Sequence, residues 1–299
     1  MSERFLVTGA LGCIGAWTCR ALLEDGAGVV AFDLGEDTRR LELVLGPGRL
    51  PEVAYVRGDV ADLAALERAI AAHGVTHVVH LAALLIPLVN ADPPRGALVN
   101  VVGTANVFEA VRRAGLGGVS YASSSAAFAR ADGVRVAADA DGHPTTFYGV
   151  HKQACEGLAR VAWLEHGVPS VGLRPHVVYG AGRDVGLTAG PSLAMGAAAR
   201  GEAYEIPFGG RMQLQLAADA ARAFVEAARS PGEGASARNL GGPASTIAEL
   251  VSAIEEAVPG ARITYDADVE LPVPEELDGW MPVHTPLRDG VRATIEHMR

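Results

Sequence analysis

Short apolar runs alternate along this chain with longer segments whose apolar residues recur at helical spacing, and that recurrence limits the possible folds more than any other feature. "RFLVTG" precedes "CIGAWTCRALLEDG", a helical segment ending at Gly26. "GVVAFD" and "EVAYVRGD" follow as further strands, then the amphipathic "ADLAALERAIAAHG". "THVVHLAA" reads as a buried strand and "RGALVNVVGTANVFEAVRRAG" as one long helix. "GVSYASS", the long helix "FYGVHKQACEGLARVAWLEHG" and the strand "SVGLRPHVVYG" complete the regular part. Strands alternating with helices of this length imply βαβ units, and hence an α/β fold with a doubly wound parallel (Rossmann) sheet.

Beyond about residue 180 the pattern loosens into Gly- and Pro-rich turns between shorter elements. Residues 1–172 with a return segment at 211–240 are expected to form the dinucleotide-binding domain. Residues 173–210 with 241–299 are expected to form a smaller C-terminal substrate lobe over the carboxyl edge of the sheet. The stretch "MQLQLAADAARAFVEAARS" is expected to bring the chain back to the sheet. A length of 299 residues is ample for a sizeable core. The 36 glycines and few aromatics suit parallel strands covered by helices on both faces.

A net charge of −10 argues against nucleic acid or an anionic membrane surface as the main partner. Cys13, Cys19 and Cys155 lack CxxC spacing and read as ordinary reduced thiols, and no metal site is expected. The most apolar stretch, Leu81 to Val89, contains Pro87 and falls well short of the roughly 18 residues that cross a bilayer. "MSERFLVTGALG" runs into a strand without a signal-peptide pattern, so a cytoplasmic location is expected.

The first βα turn is Thr8-Gly9-Ala10-Leu11-Gly12-Cys13-Ile14-Gly15. Gly9, Gly12 and Gly15 let the backbone turn tightly and approach a pyrophosphate, with Cys13 and Ile14 opening the helix that faces it. Asp33 ends the second strand, about twenty residues on, where a carboxylate accepts from a ribose diol and repels a 2′-phosphate. NAD is therefore favoured over NADP, with Arg39 and Arg40 nearby read as a solvated charge pair. Asp59, followed by Val60, ends the third strand at the height of an adenine ring; capping of a helix starting near Ala61 is its other role.

Of 25 Lys plus Arg, a single residue is lysine: Lys152, in "YGVHK", four residues after Tyr148. On a helix these two share one face. A phenol is a poor base at neutral pH unless its phenolate is stabilised. A compact ammonium with rotatable donors does that and also reaches ribose hydroxyls, whereas a planar guanidinium suits neither task. Upstream, Ser123, Ser124 and Ser125 lie at the carboxyl edge of a strand, where a hydroxyl can hold a substrate oxygen.

TGxxGxxG, "HLAA" at 80–83, "NVVGT" at 100–104, "YASSS", YxxxK and "LRPHVVYG" together resemble the extended short-chain dehydrogenase/reductase family, in its NAD-dependent epimerase/dehydratase group. The resemblance covers residues 4 to 180, with "ADAARAFVEA" and "TPLRDGVRATIE" supporting it beyond. It implies a catalytic set of Ser124, Tyr148 and Lys152, with Asn100 supporting the active-site helix. Ser124 fits the family's SxxxY run with Phe128 in the aromatic place, and Ser125 is the alternative. Leu81, Ala82 and Ala83 would line the cofactor, and Pro175 and His176 would sit beside the nicotinamide. The resemblance also implies homodimers through a four-helix bundle containing the helices of Asn100 and Tyr148.

Departures from the family pattern narrow the chemistry. Where family dehydratases carry an acid and a base, this chain has Ser125 and Ala126, so dehydration is not expected. Val177 replaces an asparagine facing the diphosphate of nucleotide sugars, and Met212 stands where an arginine is usual, with Arg211 beside it. Arg183, Thr188 and Arg211, with Ser125 and Ala126, remain candidate substrate contacts, and a free sugar, sugar acid or lactone rivals a nucleotide sugar. The expected activity is NAD-dependent epimerisation of a sugar or sugar derivative through transient oxidation of a secondary alcohol. The alternative is net dehydrogenation of a sugar, sugar acid or other alcohol, which uses the same residues. A dinucleotide-sensing regulator would not need to keep both Tyr148 and Lys152.

Overall fold

The computed structural model describes residues 3–299. The first half runs β1 (Arg4–Thr8), α1 (Cys13–Glu24), β2 (Gly28–Asp33), α2 (Arg39–Leu45), β3 (Ala54–Arg57), α3 (Leu63–His73) and β4 (His77–His80). Next come α4 (Ile86–Ala91), α5 (Pro93–Ala97), α6 (Gly103–Ala114), β5 (Val119–Ala122), β6 (Arg135–Val136) and α7 (Phe147–His166). Then follow β7 (Ser170–Arg174), β8 (Val177–Tyr179), α8 (Gly190–Ala199), β9 (Ala203–Ile206), β10 (Arg211–Leu216) and α9 (Ala217–Arg229). The chain closes with β11 (Ala235–Asn239), β12 (Ala244–Thr246), α10 (Ile247–Ala257), β13 (Arg262–Tyr265), β14 (Glu276–Leu277) and α11 (Leu287–His297).

Seven parallel strands form the central sheet in the order β11-β7-β5-β4-β1-β2-β3. The order reverses at β1, which places the crevice for a ligand at the carboxyl ends of β1 and β4. β1 shows why its run is apolar throughout: Phe5 and Val7 join the core under α1 and α9, while Leu6 joins the opposite core under α3 and α6. Both faces are covered, so neither parity of the strand is polar.

Two expected elements divide. The helix expected over residues 95–115 is α5 and α6 joined by a π-helical segment, Leu98–Val102, that contains Asn100. The strand expected over "SVGLRPHVVYG" breaks at Pro175, which has no N–H to give a ladder. β7 stays in the main sheet, whereas β8 leaves it to pair with β10 in a three-stranded sheet, β12-β10-β8. Arg211–Leu216 accordingly belongs to that small sheet, and α9 and β11 make the return to the large one. A third core, including Tyr179, Met195, Phe208, Met212, Leu250 and Val291, lies beneath α8, α10 and α11.

Candidate active site

One cavity of about 340 Å³ opens where the carboxyl ends of β1, β5 and β7 meet the segments after β8. Its wall includes Gly9, Gly12, Cys13, Ile14 and Gly15 from the first turn, and Leu81 and Ala83 from the loop after β4. Ser123, Ser124, Ser125 and Ala126 face it from the end of β5, and Tyr148 and Lys152 from α7. Pro175 and His176, then Arg183 and Thr188, complete the wall among the expected residues. Asp33, Asp59, Val60, Ala82, Asn100 and Arg211 are not part of that wall.

The glycine turn is shaped by sterics. Gly9 has φ +69°, and a Cβ there would lie 2.6 Å from the Ala82 nitrogen; at Gly15 a Cβ would lie 2.2 Å from the Gly9 carbonyl oxygen. Helix α1 therefore packs directly on the turn. Its N-cap, Gly12, supplies no side chain, and no acidic residue sits in its first turn. The first backbone N–H groups of a helix have no partner of their own, so those of α1 remain free to bind an anion. Ala82 acts through its backbone: Thr8 Oγ1 accepts from the Leu81 and Ala82 N–H groups at 3.2 and 3.3 Å.

Asp33 is held in place by the turn it serves. Its two oxygens accept from the Leu11 and Gly35 N–H groups, both at 3.0 Å, which leaves lone pairs for a diol. Of the two nearby arginines, Arg39 is a solvated ion pair with Asp37 at 2.6 Å, as its exposure predicts. Arg40 is different: it lines the cavity, pairs with Asp184 at 2.7 Å and donates to the Leu11 carbonyl at 3.4 Å. Asp59 accepts from the Ala61 N–H at 2.9 Å, but α3 begins at Leu63 and is capped by Asp62. The expected cap is thus displaced by three residues.

Tyr148 and Lys152 lie on one face of α7, with the ammonium 5.4 Å from the tyrosine ring centroid. Lys152 is only 4% exposed and donates one bond, 2.7 Å, to the Ala122 carbonyl at the end of β5. An ammonium has three donors, so two remain. The serines split by role. Ser123 donates to Glu156 at 2.5 Å, whereas Ser124 caps a short 3₁₀ turn by accepting from the Ala126 N–H at 3.1 Å. The Ser124 hydrogen is left for a ligand. Ser125 is buried and anchors β5 to the Pro175 carbonyl through its N–H at 2.9 Å.

Asn100 is buried and grips the loop after β4 from both sides, accepting from Leu84 N–H at 2.8 Å and donating to the Leu84 carbonyl at 3.0 Å. Its own carbonyl accepts from Thr104 and from the Cys155 thiol of α7, which ties that loop to the helix of Tyr148. His80 lies between Thr8 Oγ1 at 2.7 Å and Thr104 Oγ1 at 3.0 Å. Burial, with the Lys152 charge adding to it, pushes this imidazole down to about 3, so it is neutral. His176 Nε2–H donates to the Pro274 carbonyl at 2.7 Å, and burial likewise pushes this imidazole down to about 4.

Several supporting residues were not found from the sequence. Glu156 and Arg174 form a bidentate pair at 2.7 and 2.6 Å, with Arg174 also donating to Asn239 and lying 4.9 Å from the Phe128 ring centroid. Glu156 follows Lys152 by four residues, so the same spacing that marks Tyr148 and Lys152 could have marked it. Gln215 accepts from the His176 N–H at 2.9 Å, and Leu271, Pro272 and Val273 reach the cavity from far along the chain; no local pattern announces either. Arg211 is tied to Glu276 at 3.1 Å, and Met212 is buried in the third core, so neither reaches the cavity. Among the described residues, no cluster of three His, Cys, Asp or Glu could hold a metal, and no helix is long and apolar enough to cross a membrane.

A glycine-turned, uncapped helix, an acid at the end of β2 and a Tyr/Lys pair facing the same cavity define a dinucleotide-dependent enzyme of the short-chain dehydrogenase/reductase type. The model of the NAD-dependent epimerase/dehydratase family matches residues 5–241. A UDP-glucose 4-epimerase of Mycolicibacterium smegmatis is 29% identical over 99% of this chain and 98% of its own length. With several other curated relatives the chain spans only about half of their length. A GalE-like L-threonine dehydrogenase from Cupriavidus necator superposes with a TM-score of 0.87 at 26% identity, covering 99% of this chain and 100% of that one. The UDP-glucose 4-epimerase of Thermus thermophilus, solved in complex with NAD, gives 0.81 at 25% identity and 99% of both chains. The chain belongs to the NAD-dependent epimerase/dehydratase family, within the extended short-chain dehydrogenases/reductases, and its cofactor is NAD.

Proposed function

We propose that this enzyme epimerises a sugar or sugar derivative by transient oxidation of a secondary alcohol. The observation that carries the reading is the Tyr148–Lys152 pair, fixed against the end of β5 by the bond to Ala122 and opening on the cavity that holds the glycine turn. Tyr148 as phenolate takes the hydroxyl proton, and the buried Lys152 ammonium stabilises that charge. Ser124, its oxygen already engaged by Ala126 N–H, donates to the substrate oxygen and holds it. A nicotinamide held there would supply the acceptor for the hydride of the carbinol carbon and, in an epimerase, its source for the return to the other face. The remaining Lys152 donors suit the nicotinamide ribose, the α1 N-terminus the pyrophosphate, and Asp33 the adenosine ribose.

A substrate without a nucleotide is favoured. Arg211 is committed to Glu276, and Val177 is a buried aliphatic residue, so the two positions that serve a nucleotide diphosphate in the resembling enzymes offer nothing here. Asp184 is the one carboxylate lining the cavity among the described residues, and Arg40 neutralises it, which argues against dehydration. The segments 173–210 and 241–299 then act as the substrate lobe. Exposed Val102 on the π segment and Phe147, Val150, Val161 and Leu164 on α7 form an apolar face suited to a homodimer through paired helices. The three buried, unpaired cysteines suit a reducing cytoplasm.

Net dehydrogenation is the second reading, and the close superposition on a threonine dehydrogenase favours it. Denaturing the purified protein and assaying the released cofactor separates the two. NAD near one per subunit is expected for an enzyme that recycles its cofactor in place. Protein free of cofactor, together with stoichiometric NADH production from an alcohol, would replace the epimerase with the dehydrogenase.

A further inference from the structure

We infer that Arg183 grips the pyrophosphate of the bound dinucleotide beside the N-terminus of helix α1, so that the loop after β8 straps the cofactor into its site. The inference rests on the chain's use of NAD and holds for either net reaction.

The loop is moored to the dinucleotide half by three contacts. The Ala181 carbonyl accepts from Trp17 Nε1 at 3.0 Å and from the Cys13 thiol at 3.7 Å, both on α1. Asp184 pairs with Arg40 of α2, and Arg40 in turn holds the Leu11 carbonyl within the glycine turn. These contacts hold residues 181–184 against α1, on the wall of the cavity that the helix N-terminus also lines. Arg183 projects between the moorings. Gly186 lies against it, such that a Cβ there would be 3.1 Å both from Arg183 Nη2 and from Leu85 of the loop after β4.

Arg183 is set apart by what it lacks. Its neighbours in the fold are satisfied: Arg39 by Asp37, Arg40 by Asp184 and Arg200 by Glu202. Among the described residues no carboxylate pairs with Arg183. It donates from Nη2 to Thr188 Oγ1 at 3.1 Å, and its Nε is buried with no partner. A buried guanidinium N–H without an acceptor is costly and calls for an anion. Burial drives the Cys13 thiol up to about 12, and the Arg183 charge is the largest influence opposing that shift, which sets the guanidinium close to the first residue of α1. A pyrophosphate carries two negative charges; a helix N-terminus with one guanidinium beside it matches them.

The strap also controls exchange. Threading a dinucleotide in or out requires the Arg40–Asp184 pair and the Trp17–Ala181 bond to open together. The test is calorimetric titration of cofactor-stripped protein with NAD and with ADP-ribose, which carries the pyrophosphate but no nicotinamide. Arg183→Gln is expected to weaken both ligands by ten-fold or more and by the same factor, with Arg183→Lys recovering part of the loss. Asp184→Asn, which leaves Arg183 in place, is expected to speed NAD dissociation several-fold in stopped-flow displacement. Unchanged thermal unfolding of the stripped variants shows that the fold is intact. If Arg183→Gln binds ADP-ribose within two-fold of the parent, the guanidinium does not meet the pyrophosphate and the inference fails.

Discussion

At the glycine turn the protein presents backbone to its ligand, whereas elsewhere on the cavity wall, at Thr188 and Leu271–Val273, it presents side chains drawn from separate stretches of chain. The first arrangement depends on what is absent: no Cβ at Gly9 or Gly15, no cap on α1. The second depends on particular groups reaching a common point through loops. One half is thereby fixed by sterics that any dinucleotide enzyme must satisfy, and the other is free to follow its substrate. The residues proposed as catalytic, Ser124, Tyr148 and Lys152, stand between, on α7 and just after β5, and Lys152 is bonded to the rigid half.

The largest effect that would break this division is at Tyr148. Tyr148→Phe keeps the ring beside Lys152 and removes only the hydroxyl. Turnover is expected to fall by about 10²–10⁴-fold, the usual range for a lost general acid–base group. NAD affinity measured by calorimetry should stay within a few-fold. Loss of cofactor binding to the same degree would mean that Tyr148 shapes the site rather than acting in it.

Next comes the pair that braces the rigid half. Glu156 and Arg174 are largely buried, with side-chain exposures of 15% and 10%. Removing one partner of such a pair leaves an uncompensated charge and costs about 3–5 kcal/mol. Glu156→Gln should therefore lower the urea midpoint strongly, and it should also loosen Ser123 at the end of β5, since Glu156 accepts from both. The double variant Glu156→Leu, Arg174→Met should recover much of the stability, because no orphan charge remains. Recovery of stability without recovery of turnover would show that the pair positions the serine strand.

These residues also show where reading the sequence stops. Gly9, Gly12, Gly15, Tyr148 and Lys152 are legible because each is tied to a fixed offset within one strand, turn or helix. Asn100 is legible only by resemblance; nothing in its surroundings predicts a π segment whose carbonyl takes the Cys155 thiol. The break at Pro175 could have been read from the missing N–H, yet the departure of β8 to a different sheet depends on β10, some 35 residues later, and its glutamines. Leu271–Val273 and Thr188 reach the cavity only through tertiary folding. Arg40 looked like a surface charge because its partner, Asp184, is distant in sequence.

Acid should weaken both halves through buried histidines. In the unfolded chain each imidazole titrates near pH 6.5; in the folded protein His80 is pushed down to about 3 and His176 to about 4. Above about pH 6.5 both states leave these rings neutral, and their contribution is fully present. As pH falls from about 6.5 towards 4, the unfolded chain takes up protons that the folded one refuses. Stability then drops by up to about 1.4 kcal/mol per pH unit for each ring. Urea unfolding at several pH values across this window measures the slope, and His80→Asn should reduce it by about half. An unchanged slope would place the acid lability elsewhere.

The smallest effect tests whether the far side can be loosened without touching the near one. Asp219, in the first turn of α9, is buried and accepts from Thr285 twice, from its N–H at 2.7 Å and from its hydroxyl at 3.0 Å. This contact joins "ADAARAFVEA" to "TPLRDGVRATIE", the two motifs that carry the family resemblance past residue 180. Thr285→Val deletes only the hydroxyl bond and should cost about 1 kcal/mol, read from the urea midpoint. NAD affinity should not move, because Asp219 and Thr285 lie outside the cavity wall. A fall in NAD affinity would mean that the docking of the last helix reaches the glycine turn through α9 and α1, which pack closely against one another. The two sides of the cavity would then be a single mechanical unit, and the freedom ascribed to the substrate side would be limited by the demands of the cofactor side.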